Sequence, residues 1–83
     1  PNPFNPTTQI RFDVAMRGPV TLDVHDLRGR RVSRLVEAEL PAGRHTRLWD
    51  GTDQQGRTVA AGVYLLRVTS AAGVASGRVA LIK

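Results

Sequence analysis

Cysteine is absent from this chain, so neither a disulfide framework nor a thiolate metal site is available to it. Lysine occurs once, at Lys83, and the aromatic residues are only Phe4, Phe12, Trp49 and Tyr64. With some of those buried, too few remain for the coplanar exposed platforms of a carbohydrate binder. No apolar run approaches the roughly 18 residues that a membrane-spanning helix requires. Apolar residues nowhere recur at helical spacing over more than a turn, which argues against a helical fold. No signal peptide is evident, and a chain that opens at Pro1 reads as a piece of something longer.

What is present fits one domain of 83 residues, with a core that must be thin and economically packed. The formal net charge is +5, and eleven of the twelve cations are arginines. Most arginines are scattered; only Arg28, Arg30, Arg31 and Arg34 cluster. Nucleic-acid binders interleave basic residues with aromatic stacking platforms, and no aromatic lies in this cluster. The cluster therefore reads as a solvated basic surface, with no nucleic-acid partner.

Period-two alternation dominates. Ile10, Phe12 and Val14 alternate with Gln9, Arg11 and Asp13, which predicts a half-buried strand over 9–14. Gly18-Pro19 breaks it, and Val20, Leu22 and Val24 alternate against Thr21, Asp23 and His25. Two such strands across "AMRGP" point to an antiparallel connection. In "HDLRGRRV", Asp26 can cap a tight turn and Gly29 can supply a positive φ. A third strand covers 31–36, where the adjacent Leu35 and Val36 mark a bulge or a strand end. After "ELPAG", a fourth strand covers 44–49, placed with Trp49 inward because an indole buries more area than Leu48. "VYLLRVTS" and "ASGRVALIK", joined across Gly73, form a final hairpin. Six or seven short strands at this spacing predict an all-β fold, an immunoglobulin-like antiparallel β-sandwich.

Tests for chemistry return little. His25 and His45 lack further ligands nearby in sequence, so both read as edge or surface histidines. Ser76 in "GVASG" sits at the wrong offset for a nucleophile elbow. Asp50, Asp53 and Gly56 resemble the start of a calcium loop, but the twelfth positions are Ala61 and Tyr64, not a bidentate glutamate. The stretch reads instead as two Asx-stabilised turns. We therefore expect no enzyme, no cofactor and no metal site. The opening "PNPFNP" formally matches P-x-x-P; the reading preferred is a rigid boundary over residues 1–7, with Phe4 folded onto the sandwich of 8–83.

"PNPFNPTTQIRF", "VHDLRGRRV", "LPAGRHTRLWDGTDQQGRTVAAGVYLLRV" and the terminal "LIK" occur in an order that resembles the C-terminal sorting domain (type A) of type IX secretion cargo. "WDGTDQQGRTVAAGVY" is similar also to the Ig-like domain of the flagellar hook-capping protein. The first resemblance implies a seven-stranded sandwich that closes a large secreted or surface-attached protein and serves as a non-catalytic address directing that cargo across the bacterial outer membrane. Its implied partners are an outer-membrane translocon, a sortase-like peptidase and an N-terminal cargo domain of the same chain. The matched positions are Gly29, Arg30, Trp49, Asp50, Gly51, Gly56, Gly62, Val63, Tyr64 and Lys83. His25 and Arg47 depart from that pattern, standing where aromatic or β-branched residues are usual. Recognition is expected at Arg28, Gly29, Arg30, Arg31, Gly62, Tyr64, Ala80 and Lys83, with the last strand offered edge to edge. A structural Ig-like module of stalk, filament or hook-cap type is the alternative, and a carbohydrate-binding accessory ranks behind both.

Overall fold

The computed structural model describes residues 7–83, which form six strands and no helix. The Pro-rich boundary and Phe4 lie almost wholly outside the described residues. β1 (Thr8–Val14) and β4 (Gly43–Trp49) pair antiparallel as a two-stranded sheet. β2 (Gly18–His25), β3 (Arg31–Leu40), β5 (Gly62–Ser70) and β6 (Gly73–Leu81) form the second sheet, in the order β3-β2-β5-β6. All pairings are antiparallel. The predicted immunoglobulin-like sandwich is thus present, with six strands.

The alternation along each strand explains the layers. Ile10, Phe12 and Val14 of β1 and Val20, Leu22 and Val24 of β2 are all buried, and Leu22 and Val24 have no exposed surface. Their two strands lie in different sheets, so these residues meet face to face across the core. This corrects the direct connection expected across "AMRGP": β1 pairs with β4, and β2 with β3 and β5. Alternation specifies which face is apolar, but strands that pair and strands that stack carry the same alternation. Gly18 and Pro19, expected to break the first strand, begin the second. Pro19 is tolerated because β2 is still an edge there, its pairing with β5 beginning only at Thr21.

The irregularity at Leu35 and Val36 is a bulge. Val36 pairs with Leu22 but Arg34 with Asp23, so Leu35 has no opposite residue, and a second shift follows between Val24 and His25. The first bulge sets Arg34 opposite Asp23, and the guanidinium grips the buried carboxylate through Nε at 2.8 Å and Nη2 at 3.1 Å. Trp49 faces inward, 1% exposed, while Leu48 is 65% exposed. Tyr64, near the start of β5, donates its hydroxyl hydrogen to the Ala60 carbonyl four residues upstream, the tyrosine-corner arrangement of immunoglobulin-like sandwiches.

The smaller sheet covers only part of the larger one. β6 is an edge strand with Val74 63% exposed, and Leu66 and Val68 are half-buried beside it. An open groove of about 260 Å³, bordered by Ile10, Phe12, Leu66, Val68 and Gly77, runs between β1 and β6.

Candidate functional site

The loops at one end of the sandwich repeat a sequence. Asp26-Leu27-Arg28-Gly29-Arg30 joins β2 to β3, and Asp53-Gln54-Gln55-Gly56-Arg57 lies between β4 and β5. Each follows the pattern D-x-x-G-R, and each folds identically. Asp26 Oδ1 accepts from the N–H of Arg28 at 3.0 Å and of Arg30 at 2.9 Å. Asp53 Oδ1 accepts from the N–H of Gln55 at 2.9 Å and of Arg57 at 3.0 Å. The Oδ2 atoms take Nε of Arg30 at 3.2 Å and of Arg57 at 3.3 Å. Backbone bonds close both turns: Gly29 N–H to Asp26 O and Gly56 N–H to Asp53 O, each 3.0 Å. The glycines sit at φ 89° and 83°, the left-handed region in which a Cβ is strained.

These bonds favour the ionised form of the two aspartates. At Asp26, burial pushes the carboxyl up, but the bonds from the Arg30 backbone and side chain and from the Arg28 N–H outweigh it and hold it below its ordinary value. At Asp53 the Arg57 N–H is the leading cause of a downward shift, against burial and with help from the Gln55 N–H.

The second turn is fastened beside the strand that leaves the first. Gln54 donates its N–H to the Val32 carbonyl at 3.0 Å, and its side-chain oxygen accepts the Arg34 N–H at 2.7 Å. Further ties hold the rest of 50–61. The Trp49 indole N–H donates to Thr52 O at 2.9 Å, Val59 N–H to Gly51 O at 2.9 Å, and Lys83 Nζ to Val59 O. A cleft of about 480 Å³ opens between the turns, with Arg30, Arg31 and Arg57 on its walls and Val32 and Val59 among its lining.

The residues expected to form a recognition surface gather at this end. Arg28 and Arg30 line a shallow depression together with Gly62 and Tyr64. Val63 pairs with Ala80 and Gly62 with Leu81, and Lys83 reaches Val59 on the cleft. Gly29 is the pivot of the first turn. Arg57 and Gln54 were missed by the sequence reading; the signal that finds them is the second occurrence of D-x-x-G-R. Of the histidines, His25 Nδ1 lies 3.2 Å from Gly29 O and its buried Nε2 has no partner, while His45 stacks on Phe12 with centroids 5.6 Å apart. Among the described residues no group of three or more His, Cys, Asp or Glu is placed to hold a metal ion.

The two-sheet architecture, the tyrosine corner and the loop-end cleft define an immunoglobulin-like module. Residues 3–73 match the sequence model of the FlgD Ig-like domain, and the chain belongs to that family. It is 39% identical over 70 residues to the basal-body rod modification proteins FlgD of Salmonella typhimurium and Salmonella typhi, covering 81% of this chain. The chain spans about 30% of the length of those relatives. Among solved structures, FlgD from P. aeruginosa superposes with TM-score 0.71 at 23% identity, over 90% of this chain and 57% of that one. FlgD from Xanthomonas campestris, described in connection with hook capping essential for flagellar assembly, gives 0.68 at 29% identity, over 93% and 56%.

This membership corrects the type IX reading. The matches run to the flagellar hook-capping relatives, and the export-address function falls, together with its translocon and sortase-like peptidase partners. The physical reason lies in the residues that carried the resemblance. Gly29 and Gly56 permit turns, and Trp49 and Tyr64 fill the core and tie a loop, so they report this sandwich and not a particular receptor.

Proposed function

We propose that the chain is a non-catalytic Ig-like module of the hook-capping type, holding protein–protein contacts in an extracellular flagellar assembly. The observation that carries this reading is the continuous family match over residues 3–73, together with 39% identity to the Salmonella proteins. The local chemistry supports it. The carboxylates at the loop end are engaged in closing turns, which leaves them poorly disposed for acid–base work.

A domain exchange tests the proposal. The corresponding segment of Salmonella FlgD is replaced by residues 7–83, and hooks are scored by electron microscopy alongside swimming. The P. aeruginosa domain in the same position serves as the reference exchange. We expect hooks above the deletion strain. A stable, exported chimaera without hooks, where the reference exchange restores them, overturns the proposal.

A further inference from the structure

The two D-x-x-G-R turns orient their charges in opposite senses. Asp26 and Asp53 direct their oxygens into their own turns, each taking two backbone N–H groups and one Nε. Asp50 Oδ1 is likewise occupied by the Thr52 N–H and hydroxyl, at 3.2 and 2.6 Å. The cations face outward. Arg30 and Arg57 are held only at Nε, and their terminal nitrogens take no hydrogen bond among the described residues. The side chains of Arg28 and Arg31 take none either, and neither is in an ion pair among those residues. Five cations (Arg28, Arg30, Arg31, Arg57 and Lys83) thus stand at this end against the three carboxylates of Asp26, Asp50 and Asp53.

A guanidinium that donates through Nε to its own turn keeps a pair of terminal donors suited to a carboxylate. The Gln54 clip to Val32 and Arg34 holds the second turn beside the first, so the two guanidiniums wall one cleft. Val32 and Val59 supply an apolar lining, and Leu27, 68% exposed, borders the adjoining depression.

We propose that this cleft binds an acidic segment of a partner protein, its carboxylates taking the terminal nitrogens of Arg30 and Arg57 with Arg31 beside them. The proposal rests on the reading of the chain as a protein-contact module and names the chemistry of the partner. A protein segment fits better than nucleic acid. Among the described residues no exposed aromatic offers a stacking platform here, Tyr64 being buried with its hydroxyl engaged, whereas apolar side chains between glutamates or aspartates match Val32, Val59 and Leu27.

The test is a titration of the isotopically labelled full chain with a short synthetic peptide of glutamates flanking a central leucine, followed by NMR at low and near-physiological salt. We expect shifts at the Arg30 and Arg57 Nε groups and at amides of 26–32 and 53–59. Arg31→Gln breaks no hydrogen bond and should weaken the peptide about fivefold, with a larger loss in Arg30→Gln/Arg57→Gln. Arg67→Gln/Arg78→Gln removes the same charge from β5 and β6, at two residues that do not line the cleft, and should change little. Equal loss in both double variants, shifts that map elsewhere, or preferential binding of a short DNA duplex at the cleft overturns the proposal. Peptide binding is read independently of hook assembly, so a failed domain exchange with intact peptide binding removes the hook reading alone.

Discussion

Trp49 and Tyr64 meet edge to face, ring centroids 5.0 Å apart at 75°, and each directs its polar atom to the same loop. The indole N–H holds Thr52 at the loop's start, and the phenol holds Ala60 near its end. The core pair therefore shapes the polar surface above it. Tyr64→Phe keeps the ring and should cost about 1 kcal/mol by leaving the Ala60 carbonyl unpaired. Trp49→Ala removes the largest buried side chain and should cost about 3–5 kcal/mol, enough to leave so small a domain largely unfolded. Urea denaturation measures both, and limited trypsin digestion should show faster cleavage after Arg57 in Tyr64→Phe. Unchanged cleavage there contradicts the tie between ring and loop.

Gly29→Ala and Gly56→Ala should each cost about 1 kcal/mol, or roughly 5 °C in Tm, from backbone strain alone. Nothing lies within 4 Å of the Cβ that either substitution would add, so crowding contributes nothing. Asparagine, which tolerates a positive φ, should recover part of the loss at each site. Equal Tm values for the alanine and asparagine variants would falsify the strain explanation.

Acid should weaken the fold through the two turns. Both aspartates titrate below the ordinary 3.8, so the folded state holds their protons less tightly than the unfolded chain. Their contribution is complete above that ordinary value and disappears as pH falls through the depressed folded values. Between about pH 5 and pH 2, the urea midpoint of Asp26→Asn/Asp53→Asn should start lower and vary less than that of the parent. Parallel curves contradict this. At the alkaline end, burial first and the Asp26 charge second push Tyr64 upward, so stability should fall above about pH 10.

Arg34 and Asp23 form a bidentate pair across the bulged ladder. Arg34→Met leaves the Asp23 carboxylate buried without its partner and should lower Tm. Asp23→Leu added to Arg34→Met should restore most of the loss, since it removes the stranded charge. A double variant less stable than Arg34→Met shows that the pair stabilises the sheet in its own right.

Much of this architecture was legible because the code is local. Alternation located β1, β2 and β4 within two residues, β-rich composition around Gly73 located the last hairpin, and the size of an indole placed Trp49 inward over Leu48, while β3 runs four residues past the expected end at Val36. Turn chemistry was legible at Asp26 and Gly29 for the same reason. Pairing was not: the union of Thr8 with Trp49 spans half the chain and leaves no mark on the residues between. The cleft was half visible. Arg28, Arg30 and Arg31 stood out as a cluster, but Arg57 joins them only because Gln54 clips one loop to β3. Function misled for a related reason, since Gly29, Gly56, Trp49 and Tyr64, shared with the type IX pattern, serve turns and core in this sandwich.

The twin turns also bear on how the chain finds its fold. Placed in different settings, one between two paired strands and one inside a loop with a single Thr52–Thr58 bridge, the same five-residue pattern makes the same bonds. The bonds that close each turn lie within the pattern itself. Contacts spanning four residues close far sooner than the Thr8–Trp49 pairing. Each turn can act as a ready-made corner in the denatured ensemble, shortening the search by which distant strands meet.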